Sequence, residues 1–206
     1  MKRNDMIKEL IESSGVHEQL IREFTRTESF NLLNDIMNRR RSVQVTLDYD
    51  DIELCFQNSK FIESYNETYL RPKRFTKYFW KKLSRFLFNA TLYARSGIFL
   101  IETGSPLSER ELSMIAEFYS EFSERFLQEA DFFVGIGIKV TPQLKGNIRF
   151  HAMSFYPKTT MLCESCYQKV GKYLVSNDNE HLNLCQKCSL QEHKSKKRET
   201  RKATRK

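Results

Sequence analysis

Four of the chain's five cysteines stand in two pairs near its C-terminal end, Cys163 with Cys166 and Cys185 with Cys188, two residues apart within each pair and 18 between the pairs. Thiolates at this spacing form a soft tetrahedral set, which zinc selects. A redox dithiol would need one pair only, and both pairs fall inside one window of 26 residues. Cys163, Cys166, Cys185 and Cys188 are therefore expected to bind one structural Zn2+. Cys55, between Leu54 and Phe56, reads as a small buried hydrophobe.

Little else carries chemistry. His17, His151, His181 and His193 are scattered, and none has a Ser or Cys nucleophile at a recognisable spacing. The glutamates of residues 109 to 129 share a helix with an apolar face, which makes them a solvated surface. The chain is read as not an enzyme. Charge is concentrated at the C-terminal end: Lys194, Lys196, Lys197, Arg198, Arg201, Lys202, Arg205 and Lys206 oppose only Glu199, so this run holds +7 of the net +8. A polybasic run without apolar residues cannot fold alone, so it is either a disordered arm for nucleic acid or another polyanion, or a solubilising tail.

The cysteines need a scaffold. Between the knuckles, KYLV and HLNL can pair as a hairpin around Ser176–Asn179, and KCSLQEHK reads as a short helix. So few apolar residues are available there that zinc must supply most of the stability. Upstream, residues 4 to 40 show helical spacing of apolar residues with a break near Ser14–Gly15. Residues 43 to 156 then alternate strand and helix. VQVTLD and KFIESY are strand-like and flank the amphipathic DDIELCFQ; a helix is expected from about Lys73 to Tyr93, with Phe75, Tyr78, Phe79, Leu83, Phe86, Leu87 and Ala90 on one face. GIFLIETG is an apolar run of strand length. Ser108 begins a further helix with Glu111 as its capping-box partner, carrying Leu112, Ile115, Ala116, Tyr119, Phe122 and Phe126 inward. DFFVGIGIKV and NIRFHAMSF follow as strands joined by a hairpin-like TPQLKG.

These elements predict an α/β (α+β) domain with a mixed four-stranded sheet packed by helices. The expected organisation is N-terminal helices over 1–40, the α/β domain over 41–157, a four-cysteine zinc module over 158–192 and a disordered basic tail over 193–206. With 206 residues, 40% of them hydrophobic, one ordinary core and one satellite module can be buried. MKRNDMIKELIESSG lacks the apolar centre of a signal peptide, no 18-residue apolar span occurs, and the cysteine pattern suits a reducing compartment. A cytoplasmic protein with no membrane span is expected.

The stretch from GIFLIETGSPLSEREL through NIRFHAMSF resembles the C-terminal domain of FtsZ, the bacterial relative of tubulin, in its strand, T-G turn, helix and P-x-L-x-x-x-I-R pattern. TLDYDDIEL is similar to that family's loop, and the helix before it resembles the long central helix; the resemblance covers about residues 25 to 155. It implies that Thr46, Asp48 and Asp51 form a filament-contact loop, inserted in the family into the next subunit's nucleotide pocket where two acids orient water. Thr46 replaces the family's asparagine, and Asp48 and Asp51 read equally well as helix-capping acids. No Gly-rich phosphate loop is present, so the chain is not expected to bind or hydrolyse GTP in the family's manner. In spacing and in LCQKC, residues 162 to about 195 resemble a GATA-type zinc finger, without its tryptophan; a zinc ribbon or treble clef fits equally.

Two functional expectations follow. One is a non-catalytic FtsZ/tubulin-like accessory protein of the cell-division cytoskeleton, which binds or regulates a filament-forming GTPase and contacts nucleic acid or an acidic partner through its zinc module and tail. The alternative is a zinc-dependent, nucleic-acid-binding transcriptional regulator.

Overall fold

The computed structural model describes residues 7, 9–10, 18–38, 42–57, 59, 61–92, 94–126, 134–157, 161, 163–165, 169, 171–177, 180–192 and 194. The chain divides into two units, residues 1–158 and 159–206.

In the first unit, α1 (Glu18–Phe24) and α2 (Glu28–Met37) precede β1 (Val43–Val45), α3 (Tyr49–Gln57) and β2 (Phe61–Leu70). Then come α4 (Lys77–Thr91), β3 (Ser96–Thr103), α5 (Glu109–Phe126), β4 (Val134–Val140), a 3-10 turn at Pro142–Leu144 and β5 (Asn147–Tyr156). All five strands join one sheet in the order β1-β4-β3-β5-β2. Strands β3 and β4 are parallel, joined through α5, and the other neighbours are antiparallel. The sheet thus has one strand more than the four expected: the three residues of β1 are enough to add an edge against β4.

Strand β3 lies at the centre and is buried along its whole length, with the apolar run Ile98–Ile101 in its middle and the polar Ser96, Glu102 and Thr103 buried toward its ends. Its alternate residues feed two cores. Ile98 and Leu100 pack with Met153 and Phe155 under α2 and α3, through Leu32, Leu33, Ile36, Ile52 and Phe56. Phe99 and Ile101 pack with Ile148 and Phe150 under α4 and α5, through Phe79, Leu83, Leu87, Ile115 and Phe122. Gly137 of β4 faces the first core; a Cβ there would meet Ile36 Cδ1 at 2.9 Å and Leu100 Cδ2 at 3.1 Å.

Several local expectations are corrected. The β4–β5 connection is not a hairpin, because β3 lies between those strands; the turn instead wraps the end of β3, with Thr141 N donating to Thr103 O at 2.7 Å and Lys145 at φ 51°. Helix α4 starts at Lys77 rather than Lys73 because Thr76 caps it, its Oγ1 accepting from Phe79 N at 3.3 Å. Tyr78 is 68% exposed and lies under the Lys82 ammonium, whereas Trp80 turns to stack on Phe118, ring centroids 4.7 Å apart. On α5 it is Phe118, not the exposed Ala116, that joins the packing. The capping box is present: Ser108 N donates to Glu111 Oε2 at 2.8 Å, and Glu111 N to Ser108 Oγ at 3.3 Å.

In the second unit, β6 (Tyr173–Asn177) and β7 (Glu180–Leu184) form an antiparallel hairpin, with Tyr173 opposite Leu184 and Asn177 opposite Glu180. Residues 186–192 are helical. Among the described residues no helix is long and apolar enough to cross a membrane.

Candidate metal centre and acidic loop

Three of the four predicted ligands converge. The Sγ atoms of Cys163, Cys185 and Cys188 all lie within 4.8 Å of one another, each residue is buried, and none is in a disulfide. Regular tetrahedral coordination at about 2.3 Å places sulfurs about 3.8 Å apart, so this clustering is close to a ligand set. Cys166 lies outside the described residues.

Backbone bonds hold the three sulfurs in place. Cys163 N donates to Lys169 O at 2.7 Å, which folds the first knuckle, and Glu164 N donates to Asn183 O at 3.0 Å, which ties that knuckle to β7. Asn183 N in return donates to the Glu164 carboxylate. Cys185 directly follows β7, and the turn that begins there, Ser189 N to Cys185 O at 2.9 Å, carries Cys188 back toward it. Among the described residues, the cysteines cluster with Leu184 and Leu182 in a small apolar group. Burial, followed by the adjacent Cys188 and Cys163 thiols, pushes the Cys185 thiol up to about 12, against a lowering by the Cys188 amide. A cation among the sulfurs reverses that balance, because coordination deprotonates a thiol outright. The donor set could therefore bind a metal ion. The basic tail supplies only Lys194 to the described residues, where it is exposed; Lys196, Lys197, Arg198, Arg201, Lys202, Arg205 and Lys206 lie outside them.

In the first unit the loop from Thr46 to Asp48 links β1 to α3. Buried Leu47 anchors it, and Ile52, Cys55 and Phe56 fix the helix below. Asp48 is exposed and accepts from Asp50 N at 3.4 Å, a long contact across the first turn of the helix. Asp51 is half-buried, and its carboxyl is held above the usual range by burial and then by the charges of Asp48 and Asp50. Among the described residues, Thr46 Oγ1 makes long contacts, to Ile36 O at 3.5 Å and Leu47 O at 3.4 Å. The loop thus presents an acidic end to solvent.

A third arrangement escapes the sequence. Ser29 Oγ lies 3.0 Å from His151 Nδ1, and His151 Nε2 lies 3.1 Å from Glu102 Oε2. Glu102 also accepts from Thr141 Oγ1 at 2.8 Å, with Arg149 at 3.5 Å, and Arg149 continues to Glu28 at 3.0 Å. The order serine, histidine, carboxylate matches a hydrolase triad. Yet Ser29 is 0% and His151 1% exposed, so the surroundings leave no approach for a substrate. The group staples α2 across β3 and β5, as the Lys139–Asp35 ion pair at 2.6 Å staples it to β4. Ser29 and His151 are 122 residues apart in sequence, a separation no motif signals.

The architecture of the first unit has counterparts among solved structures. The chain matches an FtsZ point mutant from M. jannaschii at a TM-score of 0.52 and 12% identity, over 77% of this chain and 46% of that one. It also matches an empty FtsZ dimer from M. jannaschii at a TM-score of 0.50 and 12% identity, over 86% and 50%. The fold is FtsZ-like. At this identity the likeness concerns the fold alone, and the chain spans about half the length of the FtsZ chains it matches. No protein-family model and no curated protein matches the sequence.

Proposed function

We propose that this protein is a non-catalytic FtsZ/tubulin-like accessory factor that docks on a filament-forming GTPase. The observation that carries the reading is the acidic loop: on an FtsZ-like sheet, Asp48 and Asp51 stand at the solvent end of α3, where the family resemblance has a subunit reach its neighbour. The first unit supplies a shaped contact surface for a neighbouring subunit. Such a factor caps or regulates polymer ends. The cysteine cluster, completed by Cys166, holds one Zn2+ as a closed structural site, and the basic tail from Lys194 to Lys206 contacts nucleic acid or an acidic partner.

Light scattering and phosphate release with the cognate GTPase test this reading. Substoichiometric protein is expected to change assembly or turnover, because ends are far fewer than subunits. Asp48→Ala with Asp51→Ala is expected to alter turnover more than binding, since positioned carboxylates act on the attacking water while the surrounding surface supplies contact. No effect at equimolar ratio would remove the accessory reading and leave the zinc-dependent nucleic-acid regulator.

A further inference from the structure

A cavity of about 650 Å3 opens at the N-terminal ends of α4 and α5 and is lined by Lys73, Arg74, Phe75, Ser108, Arg110 and Glu111 among others. Its charge is lopsided. Lys73, Arg74 and Arg110 are all exposed, and none has a carboxylate partner among the described residues. The one lining acid, Glu111, is already committed: Arg71 donates to its two oxygens at 2.7 and 2.8 Å, and Ser108 donates its amide at 2.8 Å and its hydroxyl at 2.9 Å. Burial alone would raise the Glu111 carboxyl, but these donors hold it below the usual carboxylate range, so it stays an anion serving Arg71 and the cap. Among the described residues, three positive charges remain around the opening without a carboxylate partner. The Ser108 amide is also taken, so recognition falls to the side chains rather than to the helix end.

We infer that this cavity is a binding site for a small, multiply charged phosphate ligand, a diphosphate or triphosphate group either free or carried on a nucleoside. Guanidinium forks match phosphate oxygens two at a time, and Arg74 and Arg110 supply two such forks with Lys73 as a point charge. The volume lies within the range of small-molecule sites, about 300 to 1,000 Å3. The neighbouring groove separates a compact anion from a long polymer. It continues between α4 and α5, with Lys77 and Lys81 on one side and Glu117 and Glu121 on the other. A nucleic-acid strand leaving the cavity in that direction meets carboxylates, whereas a short phosphate chain stays among the cations. This inference is independent of any filament contact.

The chain's single tryptophan reports on the site: Trp80 stacks on Phe75, a lining residue, with ring centroids 5.0 Å apart. Full-length, metal-loaded protein is titrated with sodium triphosphate at constant ionic strength, with sulfate as the control anion and nucleoside triphosphates in a parallel arm. A saturable change in tryptophan fluorescence is expected with triphosphate and not with sulfate. Tighter binding in the parallel arm identifies a nucleoside-borne ligand; equal binding identifies the phosphate chain alone. Arg74→Gln with Arg110→Gln is expected to weaken binding at least about tenfold, and Arg74→Lys with Arg110→Lys to restore part of the loss, because charge returns without the forks. A full-length variant with Lys196→Gln, Lys197→Gln, Arg198→Gln and Arg201→Gln is expected to bind within about twofold of the parent, which separates the cavity from the tail. The inference is overturned by undiminished affinity in the folded Arg74→Gln, Arg110→Gln protein, by loss of binding in the tail variant, or by the absence of saturation. It is equally overturned if an oligonucleotide depends on Arg74 and Arg110 while triphosphate fails to compete with it.

Discussion

Replacing Glu102 by glutamine tests the buried staple where its geometry is tightest. The carboxylate accepts from Thr141 at 2.8 Å, faces His151 Nε2 at 3.1 Å and lies 3.5 Å from Arg149; the His151 side chain is 0% and that of Glu102 11% exposed. Glutamine keeps the shape and one acceptor oxygen but removes the charge. Hydrogen bonds to a charged acceptor contribute about 1.5 to 3 kcal/mol each, and with those from Thr141 and His151 weakened while Arg149 keeps its ion pair to Glu28 the loss is about 3 kcal/mol. For a chain of this size that is a fall in Tm of about 6 to 12 °C. The pH dependence has a definite sign. Burial would raise the Glu102 carboxyl, but the hydrogen bonds from His151 and Thr141, with the charges of His151 and Arg149, hold it below its ordinary 4.5. A depressed folded-state value contributes stability above the unfolded value, and that stability is lost as pH falls through the folded one. The gap between the parent and Glu102→Gln should therefore be full at neutral pH and close below about pH 4.5. Glu111, also depressed, is present in both proteins and cancels in the difference. Trp80 fluorescence follows the unfolding of the first unit. Equal stability at neutral pH, or a gap that stays constant through acid, would refute the role assigned to this group.

Two further outcomes can be measured on the same protein. A Cβ at Gly104 would lie 1.7 Å from Lys145 O, a backbone atom that cannot swing aside, so Gly104→Ala is expected to cost at least about 3 kcal/mol, the top of the overpacking range, in chemical denaturation; a loss within error would show that the turn relaxes freely. Elemental analysis is expected to find about one zinc per chain, and Cys163→Ser or Cys185→Ser to unfold residues 160–192 while the Trp80 transition stays cooperative; stoichiometric zinc in a protein lacking all four cysteines would refute the site.

Much of the fold was legible where a signal is local. GIFLIETG announces a strand buried on both faces, and β3 is that strand. Ser108 and Glu111 announce a helix start and make the expected reciprocal bonds. The CxxC pairs place three thiols within 4.8 Å. Features made by long-range pairing were not legible. Ser29, Glu102 and His151 come from α2, β3 and β5, so only the sheet order brings them together. Likewise, β2 runs on to Leu70 because β5 continues opposite it, although ETYL gives little apolar signal of its own. The basic cavity joins Lys73 and Arg74, outside α4 once Thr76 caps that helix, to Arg110 on α5.

The proposed docking on a filament is tested most directly by co-sedimentation of the metal-loaded protein with polymers of an FtsZ-like GTPase from the same cell at equimolar ratio. The protein is expected in the polymer pellet, and to remain in the supernatant when the GTPase is kept unassembled. Asp48→Ala with Asp51→Ala is expected to pellet nearly as well while changing phosphate release. Failure of the unmutated protein to pellet, together with unchanged phosphate release, would contradict the account.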